Sequence, residues 1–235
     1  MNKRRYLIAL VGLCLAVTLA VVLRQGYVPG SLSPLPAIDL SVARPWFADW
    51  RLAGIRNDRQ HCRIVMREPH VSIVMAPDQP LKDGCGLTNG VRTQRLGNGI
   101  RVVADRMTCE VAAALSLWLE HEVQPAAREH LGVRVTGITH LGTYACRNIN
   151  TTGYASVWRS EHATANAIDI SGFTLSDGRT ITVRQHWGSG AREQAFLRDV
   201  HARACRYFRV AIGPAYNALH ADHFHYDRGP LMMCR

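Results

Sequence analysis

The chain has 235 residues, a formal net charge of +10 and 47% hydrophobic residues, which allows one or at most two domains with a substantial core. Only Lys3 and Lys82 of its 28 basic residues are lysine, and the rest are arginine. Arginine pairs with carboxylates in a bidentate fork, so an acidic polymer or anionic surface is a suitable partner. Composition bias of the genome is the simpler explanation for most of these arginines. Basic residues form no stripe interleaved with aromatic ones, which argues against nucleic acid.

The N-terminal segment predicts a membrane anchor. Basic residues at positions 3–5 precede an uncharged apolar stretch, residues 7–23, and Arg24 follows. This stretch is long for the core of a signal peptide and slightly short of the about 20 residues of a full span. No small-x-small cleavage site precedes Arg24, so we expect an uncleaved signal anchor at 1–24. The basic residues keep the short end in the cytoplasm, which places the domain in the periplasm, held by a single pass through the inner membrane.

The segment after the anchor predicts a linker. Over residues 25–50, Pro29, Gly30 and Pro34 interrupt regular structure, and no hydrophobic periodicity is present. We therefore expect this segment to tether a globular domain at 51–235.

The globular part predicts short strands around two helices. The first helix is expected at 109–131, where apolar residues recur at helical spacing, Thr108 is an N-cap, Pro125 kinks or restarts the helix and Gly132 ends it. A second helix is expected at 191–208. The expected strands are 63–66, 71–75, 100–103, 133–143 and 210–214, with turns at 83–84 and 97–99. This mixture predicts an α+β fold.

Cysteine usage agrees with export. Cys14 lies in the apolar stretch, and six other cysteines are widely spaced along the domain. An even number of cysteines in an exported domain predicts disulfides, with fifteen possible connectivities. We predict one pair, Cys205–Cys234, which would tie the C-terminal tail to the second helix. Buried free thiols are the alternative if the chain is cytosolic.

Two separated motifs carry the ligands of a metal site. The segment 160–170, Ser-Glu-His-Ala-Thr-Ala-Asn-Ala-Ile-Asp-Ile, places Asp169 seven positions after His162, and the segment 220–227, His-Ala-Asp-His-Phe-His-Tyr-Asp, contains His225. Two imidazoles and one carboxylate are a ligand set of catalytic zinc, which leaves the fourth tetrahedral position open for water. Water acidified at such a site can attack an amide.

Strand geometry is expected to bring these side chains to one face. On a strand Asp169 points away from its two isoleucine neighbours, and His223 and His225 point the same way because one residue separates them. Asp227 has the same parity and can accept a hydrogen bond from a ligating imidazole. Two alternatives stay open: Asp169 forms a structural ion pair with an arginine, or His223 or His220 completes a closed structural zinc site.

The spacing His-x6-Asp followed by His-x-His resembles the group of zinc D-Ala-D-Ala peptidases, lysostaphin and hedgehog domains. Residues 85–235 more closely resemble the bacterial extensin-like C-terminal domain family. The motifs that carry this resemblance are 144–147, 160–163, 166–170, 213–214 and 220–227. The resemblance implies zinc ligation by His162, Asp169 and His225. It also implies a core of the LAS/M15 peptidase type, a small antiparallel sheet with flanking helices.

Roles for three more residues come from the same resemblance. Arg147 stands where D,D-peptidases place an arginine that holds a substrate carbonyl or carboxylate; a solvent-facing arginine at a strand end is the alternative. The carboxypeptidase branch has a glutamate three residues before the last ligand, where this chain has Asp222. Aspartate is one methylene shorter, and on a regular strand it would face away from the metal. We therefore prefer His223 over Asp222 as the base or transition-state stabiliser. Ala165 is a second departure, since relatives often carry glycine nearby.

The expected function is that of an anchored extracytoplasmic zinc peptidase of the D,D-carboxypeptidase or endopeptidase type. Its substrates would be peptidoglycan stem peptides or cross-links, whose carboxylates suit an arginine-rich cleft. The alternative is a non-catalytic module that retains zinc and binds the cell wall or assists envelope assembly, since fold alone does not decide activity. A structural periplasmic domain without metal is the third possibility.

Overall fold

The computed structural model describes residues 3–151 and 156–235, so the first two residues of the expected anchor lie outside the described ranges. The described chain is α+β. Its helices are α1 Lys3–Arg24, α2 Ala48–Ala53, α3 Arg59–Val65, α4 Cys109–Trp118, α5 Gln124–Leu131, α6 Val183–His186 and α7 Arg192–Ala204. Its strands are β1 Ser72–Met75, β2 Gln79–Lys82, β3 Cys85–Leu87, β4 Gly90–Leu96, β5 Ile100–Thr108, β6 Val135–Gly142, β7 Ala167–Leu175, β8 Thr180–Thr182, β9 Val210–Ile212, β10 Phe224–Asp227 and β11 Met233–Cys234. Short 3-10 turns lie at Gly30–Leu32, Glu161–Thr164 and Ala218–His220.

One mixed sheet organises the domain. Eight strands pair in the order β1-β4-β5-β6-β7-β10-β9-β11, and a ninth strand, β8, pairs with β7. Two pairs, β5 with β6 and β9 with β11, are parallel. The sheet is therefore larger than the small antiparallel one we expected. The β5–β6 pair is parallel because α4 and α5 form the crossover between these strands, and a hairpin cannot make that connection.

Aromatic side chains fill the space between one face of the sheet and the helices. The ring of Trp118 on α4 lies 6.1 Å from Phe173 of β7, 6.5 Å from Phe208 and 5.3 Å from Tyr226 of β10, measured between ring centroids. Its indole N–H donates to the carbonyl of Val200 on α7 at 2.9 Å. Because this face of β7 and β10 is buried, polar residues at the alternate positions of both strands lie on the other face.

The first helix prediction is confirmed in position and detail. Thr108 accepts a hydrogen bond from the Val111 amide, as an N-cap does. A π turn, Leu119–Val123, joins α4 to α5, and Pro125 lies in the first turn of α5. Gly132 ends the helix in the left-handed conformation, at φ 69°.

One strand prediction was wrong. Residues 63–66 belong mostly to α3, where Asp58 caps the helix by accepting from the His61 amide. Cys62 and Val65 are both buried, and a spacing of three positions places them on one helical face. A short apolar run is compatible with the repeat of a helix and with that of a strand, so the N-cap at Asp58, and not the apolar run, indicates the helix.

The segment expected to be a linker packs against the domain. Ile38 and Leu40 are 3% and 1% exposed and belong to the hydrophobic core. The Gly30 amide donates to the carbonyl of Gly54 at 2.8 Å. Regular structure in this segment is limited to the 3-10 turn Gly30–Leu32 and the start of α2, and the prolines between them do not prevent burial of the apolar residues.

Three disulfides link the six cysteines of the domain. Cys14, in α1, is free and exposed. The predicted Cys205–Cys234 bond is confirmed, and it ties the C-terminal strand β11 to the end of α7. The other bonds join Cys62 to Cys109 and Cys85 to Cys146. They close loops of 47 and 61 residues, which restricts the unfolded chain.

Candidate metal centre

Strand register brings Asp169 and His225 together. The strands β7 and β10 are antiparallel, and His225 lies directly opposite Asp169. Ile168 and Ile170 are fully buried on the core side, so the Asp169 side chain projects from the opposite face, as its alternation predicts. Phe224 is fully buried as well, which leaves the His225 imidazole on the face of Asp169. Directly opposed residues on one face have Cβ atoms about 5 Å apart, close enough for their polar atoms to meet.

The third residue, His162, comes from a turn before β7. Ser160 caps the 3-10 turn Glu161–Thr164 by accepting from the His162 amide. The turn ends at Ala165, which takes the left-handed conformation at φ 55°, a geometry that glycine adopts at lower cost. Asn166 then donates to the Glu161 carboxylate at 2.7 Å. These contacts fix the turn, and the His162 side chain is 2% exposed.

Three donor atoms from these residues converge. The distances are 3.1 Å from His162 Nε2 to Asp169 Oδ1, 2.9 Å from His225 Nδ1 to Asp169 Oδ1, and 3.2 Å between the two imidazole nitrogens. Ligand atoms about 2.0–2.1 Å from a tetrahedral zinc ion are about 3.3 Å apart, so the triangle fits one face of such a site. Within the described ranges, the donors that form this group are only these three, which leaves a fourth position open.

The other nitrogen of His225 has the partner that a ligating imidazole needs. His225 Nε2 lies 3.0 Å from Asp227 Oδ2, as the shared parity of the two residues predicts. The Asp227 carboxylate also accepts from the Gly229 amide at 2.9 Å, which holds it in place. Because a carboxylate accepts, Nε2 carries a proton, and a metal bound at the triangle would take the place of the proton that Nδ1 shares with Asp169.

The electrostatics of the centre favour a positive charge. Burial lowers the pKa of His225, but hydrogen bonds to Asp169 and Asp227 outweigh burial and raise it to about 9. Burial raises the pKa of Asp169, but hydrogen bonds from His162 and His225 outweigh it and hold this pKa well below its usual range. In the described part of the chain Asp169 pairs with histidines and with no arginine or lysine. The structural ion pair with arginine, one of our alternatives, is therefore excluded there.

His223 faces the centre and is oriented by Asp222. Its Nδ1 lies 2.8 Å from Asp222 Oδ1, and its Nε2 lies 3.7 Å from Asp169 Oδ1. The hydrogen bond from His223 lowers the pKa of the Asp222 carboxyl, which is 44% exposed. We expected Asp222 to face away by strand parity. It instead precedes β10 in a turn, where parity does not apply, and its carboxylate contacts His223.

Arg147 lies on a segment that pairs with the turn of His162. The Ala145 amide donates to the His162 carbonyl at 3.0 Å, and the Ser160 amide donates to the Arg147 carbonyl at 3.1 Å. The Cys85–Cys146 disulfide holds the same segment. Arg147 is half-buried.

His220 joins the site, although the sequence suggested for it only a possible place in a closed zinc site. Its ring centroid lies 5.1 Å from that of His223 and 6.1 Å from that of His225. Burial, together with the charges of His223, His225 and Arg147, lowers the pKa of His220 to about 4. Its Nδ1 lies 2.7 Å from Asn217 Oδ1, so Nδ1 donates and Nε2 is left as an acceptor. The signal for this residue was the spacing His-x-x-His-x-His.

Comparison with known proteins gave one match. The model of the family described as Extensin-like protein C-terminus matches residues 60–235, a range that starts earlier than the 85–235 over which the motifs suggested a resemblance. No curated protein and no solved structure matches the chain. The match covers most of the chain and includes His162, Asp169 and His225.

Proposed function

We propose, from the premise that the chain belongs to the extensin-like protein C-terminus family, that it is a membrane-anchored zinc-dependent hydrolase of peptidoglycan peptides. The observation that carries this proposal is the convergence of His162 Nε2, Asp169 Oδ1 and His225 Nδ1 within 3.2 Å of one another. Three protein donors with an open fourth position are typical of catalytic rather than structural zinc sites. The Asp227 contact to His225 supports the same assignment.

His223 is our candidate for proton transfer. Bound zinc would supply a Lewis acid that polarises an amide carbonyl and lowers the pKa of water. Asp222 accepts from His223 Nδ1 at 2.8 Å, so His223 Nε2 is free to accept a proton on the side of the site, 3.7 Å from Asp169 Oδ1. His223 would take a proton as the amide is attacked and return it to the leaving amine. Asp222 then orients the ring instead of acting as the base.

Arg147 is our candidate for holding a substrate oxygen. Its backbone pairs with the turn that carries His162, since the Arg147 carbonyl accepts from the Ser160 amide at 3.1 Å. An arginine fork binds a carboxylate or a carbonyl in a fixed geometry. Peptidoglycan stem peptides carry several carboxylates, which supports them as substrates. The motif spacing supports a D,D-carboxypeptidase or endopeptidase of the LAS/M15 type.

The proposed location is the inner membrane with the domain in the periplasm. α1 is long and apolar enough to span a membrane, with a mean hydropathy of 2.8, and a signal sequence meets the same criterion. Basic residues at its start favour a cytoplasmic N-terminus. The three disulfides favour an oxidising compartment for the domain.

The test is hydrolysis of defined murein fragments by the purified full-length chain, with zinc measured on the same sample. We expect about one zinc per chain, and His223→Ala to retain zinc while losing at least about 100-fold in rate, as loss of a general base does. His70→Ala removes an exposed imidazole and serves as the matched control, with an unchanged rate.

Each other result has a definite meaning. A chain that binds zinc and hydrolyses no murein fragment would favour the non-catalytic wall-binding or assembly module. A folded chain that binds no zinc would refute the metal centre. Full activity of His223→Ala would refute the role of His223 and leave the metal centre standing.

A further inference from the structure

The end of the apolar helix is bonded into the folded domain. The carbonyl of Arg24 accepts from the guanidinium of Arg209. The carbonyl of Gln25 accepts from Arg56 at 2.9 Å, and the carbonyl of Gly26 accepts from Asn57 at 3.2 Å. A chain that leaves α1 through such contacts is not a free tether. The domain therefore has a defined orientation relative to the end of α1.

Asp49 on α2 is the centre of this junction. Its carboxylate lies 3.2 Å from Arg24 Nε, 2.8 Å from Arg209 Nε and 2.8 Å from Arg228 Nη1. The side chains of Arg209 and Arg228 are each 1% exposed. Removing the carboxylate that pairs with two buried arginines is costly, so α2 stays beside the end of α1.

An aromatic cluster precedes and begins α2. The centroids of Trp46 and Phe47 are 5.3 Å apart, and those of Phe47 and Trp50 are 5.5 Å apart. Trp46 and Phe47 are 58% and 56% exposed. Phe47 also has φ 51°, a left-handed conformation that costs a bulky residue about 1–2 kcal/mol. Strain that holds a large apolar ring in solvent points to a partner for that ring.

We propose that the collar patch, Trp46, Phe47 and Trp50, enters the headgroup region of the bilayer that holds α1 and docks the domain on the membrane surface. The patch lies within three residues of Asp49, which contacts the last residue of α1, so it adjoins the level at which the chain leaves the bilayer. Tryptophan is enriched at that level because its ring is apolar and its N–H is polar. Because the collar patch lies at this level, we expect its partner to be lipid. The inference rests on the proposed retention of α1 in the membrane and not on hydrolysis.

Docking brings the metal centre near the membrane. Arg228, which contacts Asp49, directly follows the last residue of β10 and lies three residues after His225, a distance of about 10 Å at the rise of an extended chain. The site then acts on peptides close to the outer face of the inner membrane, and a domain on a long tether would not be so restricted.

The test uses tryptophan fluorescence of the full chain in vesicles of phosphatidylcholine and phosphatidylglycerol with brominated acyl chains. Bromine quenches only indoles at the membrane, so we expect Trp46→Phe to lower the quenched fraction about twofold, because Trp50 is the other indole of the patch. Trp158→Phe removes an indole that is 74% exposed and lies outside the collar patch, and the quenched fraction should not fall in this control.

Three outcomes would count against the inference, and they differ from one another. Equal quenching of wild type and Trp46→Phe would overturn the docking of the patch. Quenching that disappears on dilution of the protein in the vesicles, with cross-linking between chains, would show that a second copy covers the patch. Release of the chain by alkaline carbonate would show that α1 is not retained, which refutes the anchor and with it this inference, whatever the hydrolytic activity.

Discussion

Two clusters of charged residues lie beside β10, and their carboxylates have different partners. The first cluster is the junction at the end of α1, which contains Asp49 and the fully buried Glu110. Both oxygens of each of these carboxylates accept from arginine. In the candidate metal centre, the donor atoms of His162, Asp169 and His225 face one another across 2.9–3.2 Å. No arginine or lysine of the described chain pairs with Asp169.

The difference indicates which cluster is suited to a cation from outside the protein. Arginine supplies the positive charge of the junction, so that cluster is complete within the protein and serves stability. The candidate metal centre has no arginine or lysine paired with Asp169 in the described chain, so a proton held by its histidines balances this carboxylate, and a metal that binds there replaces that proton. Burial alone does not distinguish the two clusters. They differ in the groups that pair with their carboxylates, which are arginines in one and histidines in the other.

The largest expected effect is loss of the metal. Asp169→Ala removes the carboxylate that both imidazoles contact, so zinc content should fall from about one per chain to near zero, and hydrolysis at least about 1000-fold. Zinc analysis and a murein assay on the same preparation measure both effects. Asp105→Ala, at an exposed aspartate, should change neither. Full zinc content in Asp169→Ala would place the ion elsewhere.

The next effect is on stability alone. Glu110 is fully buried between Arg56 and Arg228, and Glu110→Gln leaves Arg56 without a carboxylate and the buried Arg228 with Asp49 alone. We expect a loss of about 3–5 kcal/mol in the free energy of unfolding, measured by urea denaturation. The exposed Asp105→Asn is the control. Zinc content of the folded fraction should stay at the wild-type level, and loss of zinc with normal stability would reverse our assignment of the two clusters.

A smaller effect is expected at Asp227, which contacts His225. Asp227→Asn keeps the shape of the group that accepts from His225 Nε2 but removes its charge. Zinc affinity, measured by competition with a chelating dye, should fall about 10–100-fold, as for other residues that orient metal ligands. An unchanged affinity would mean that Nδ1 of His225 needs no such support.

The smallest effect depends on pH. Burial raises the pKa of Asp49, but Arg228 and Arg209 outweigh burial and hold this pKa below 3.8. A carboxyl group with a depressed folded pKa contributes stability above its unfolded pKa and loses it as pH falls towards the folded value. Asp49→Asn should therefore cost about 2 kcal/mol at pH 7, and the difference from wild type should shrink below about pH 4. Urea denaturation at several pH values measures the trend, which a pH-independent difference would contradict.

Local sequence pattern predicted several features that the structure confirms. Thr108, Pro125 and Gly132 are chemical signals for the start, the irregularity and the end of one helix, and each acts within its own turn. The alternation around Asp169 and the spacing of His225 and Asp227 predicted which face each side chain takes. The run at 63–66 was misassigned because a short apolar run suits both helix and strand.

Other features depended on contacts between distant segments. The pairing of Cys62 with Cys109 and of Cys85 with Cys146 follows from the fold, since sequence leaves the connectivity open. The role of Asp222 depended on a turn that removes it from strand parity. The inclusion of His220 in the site depended on its position beside His223 and His225.

The sequence by itself determined the residues of the centre, their faces and the family to which the chain belongs, because side-chain chemistry and backbone period are local properties. Only the tertiary structure decided that β7 and β10 are neighbours in a register that opposes Asp169 to His225. It also decided that the segment after α1 packs on the domain through Asp49. Strand pairing and buried ion pairs are long-range contacts whose free energy depends on the whole fold, so no short stretch of sequence specifies them.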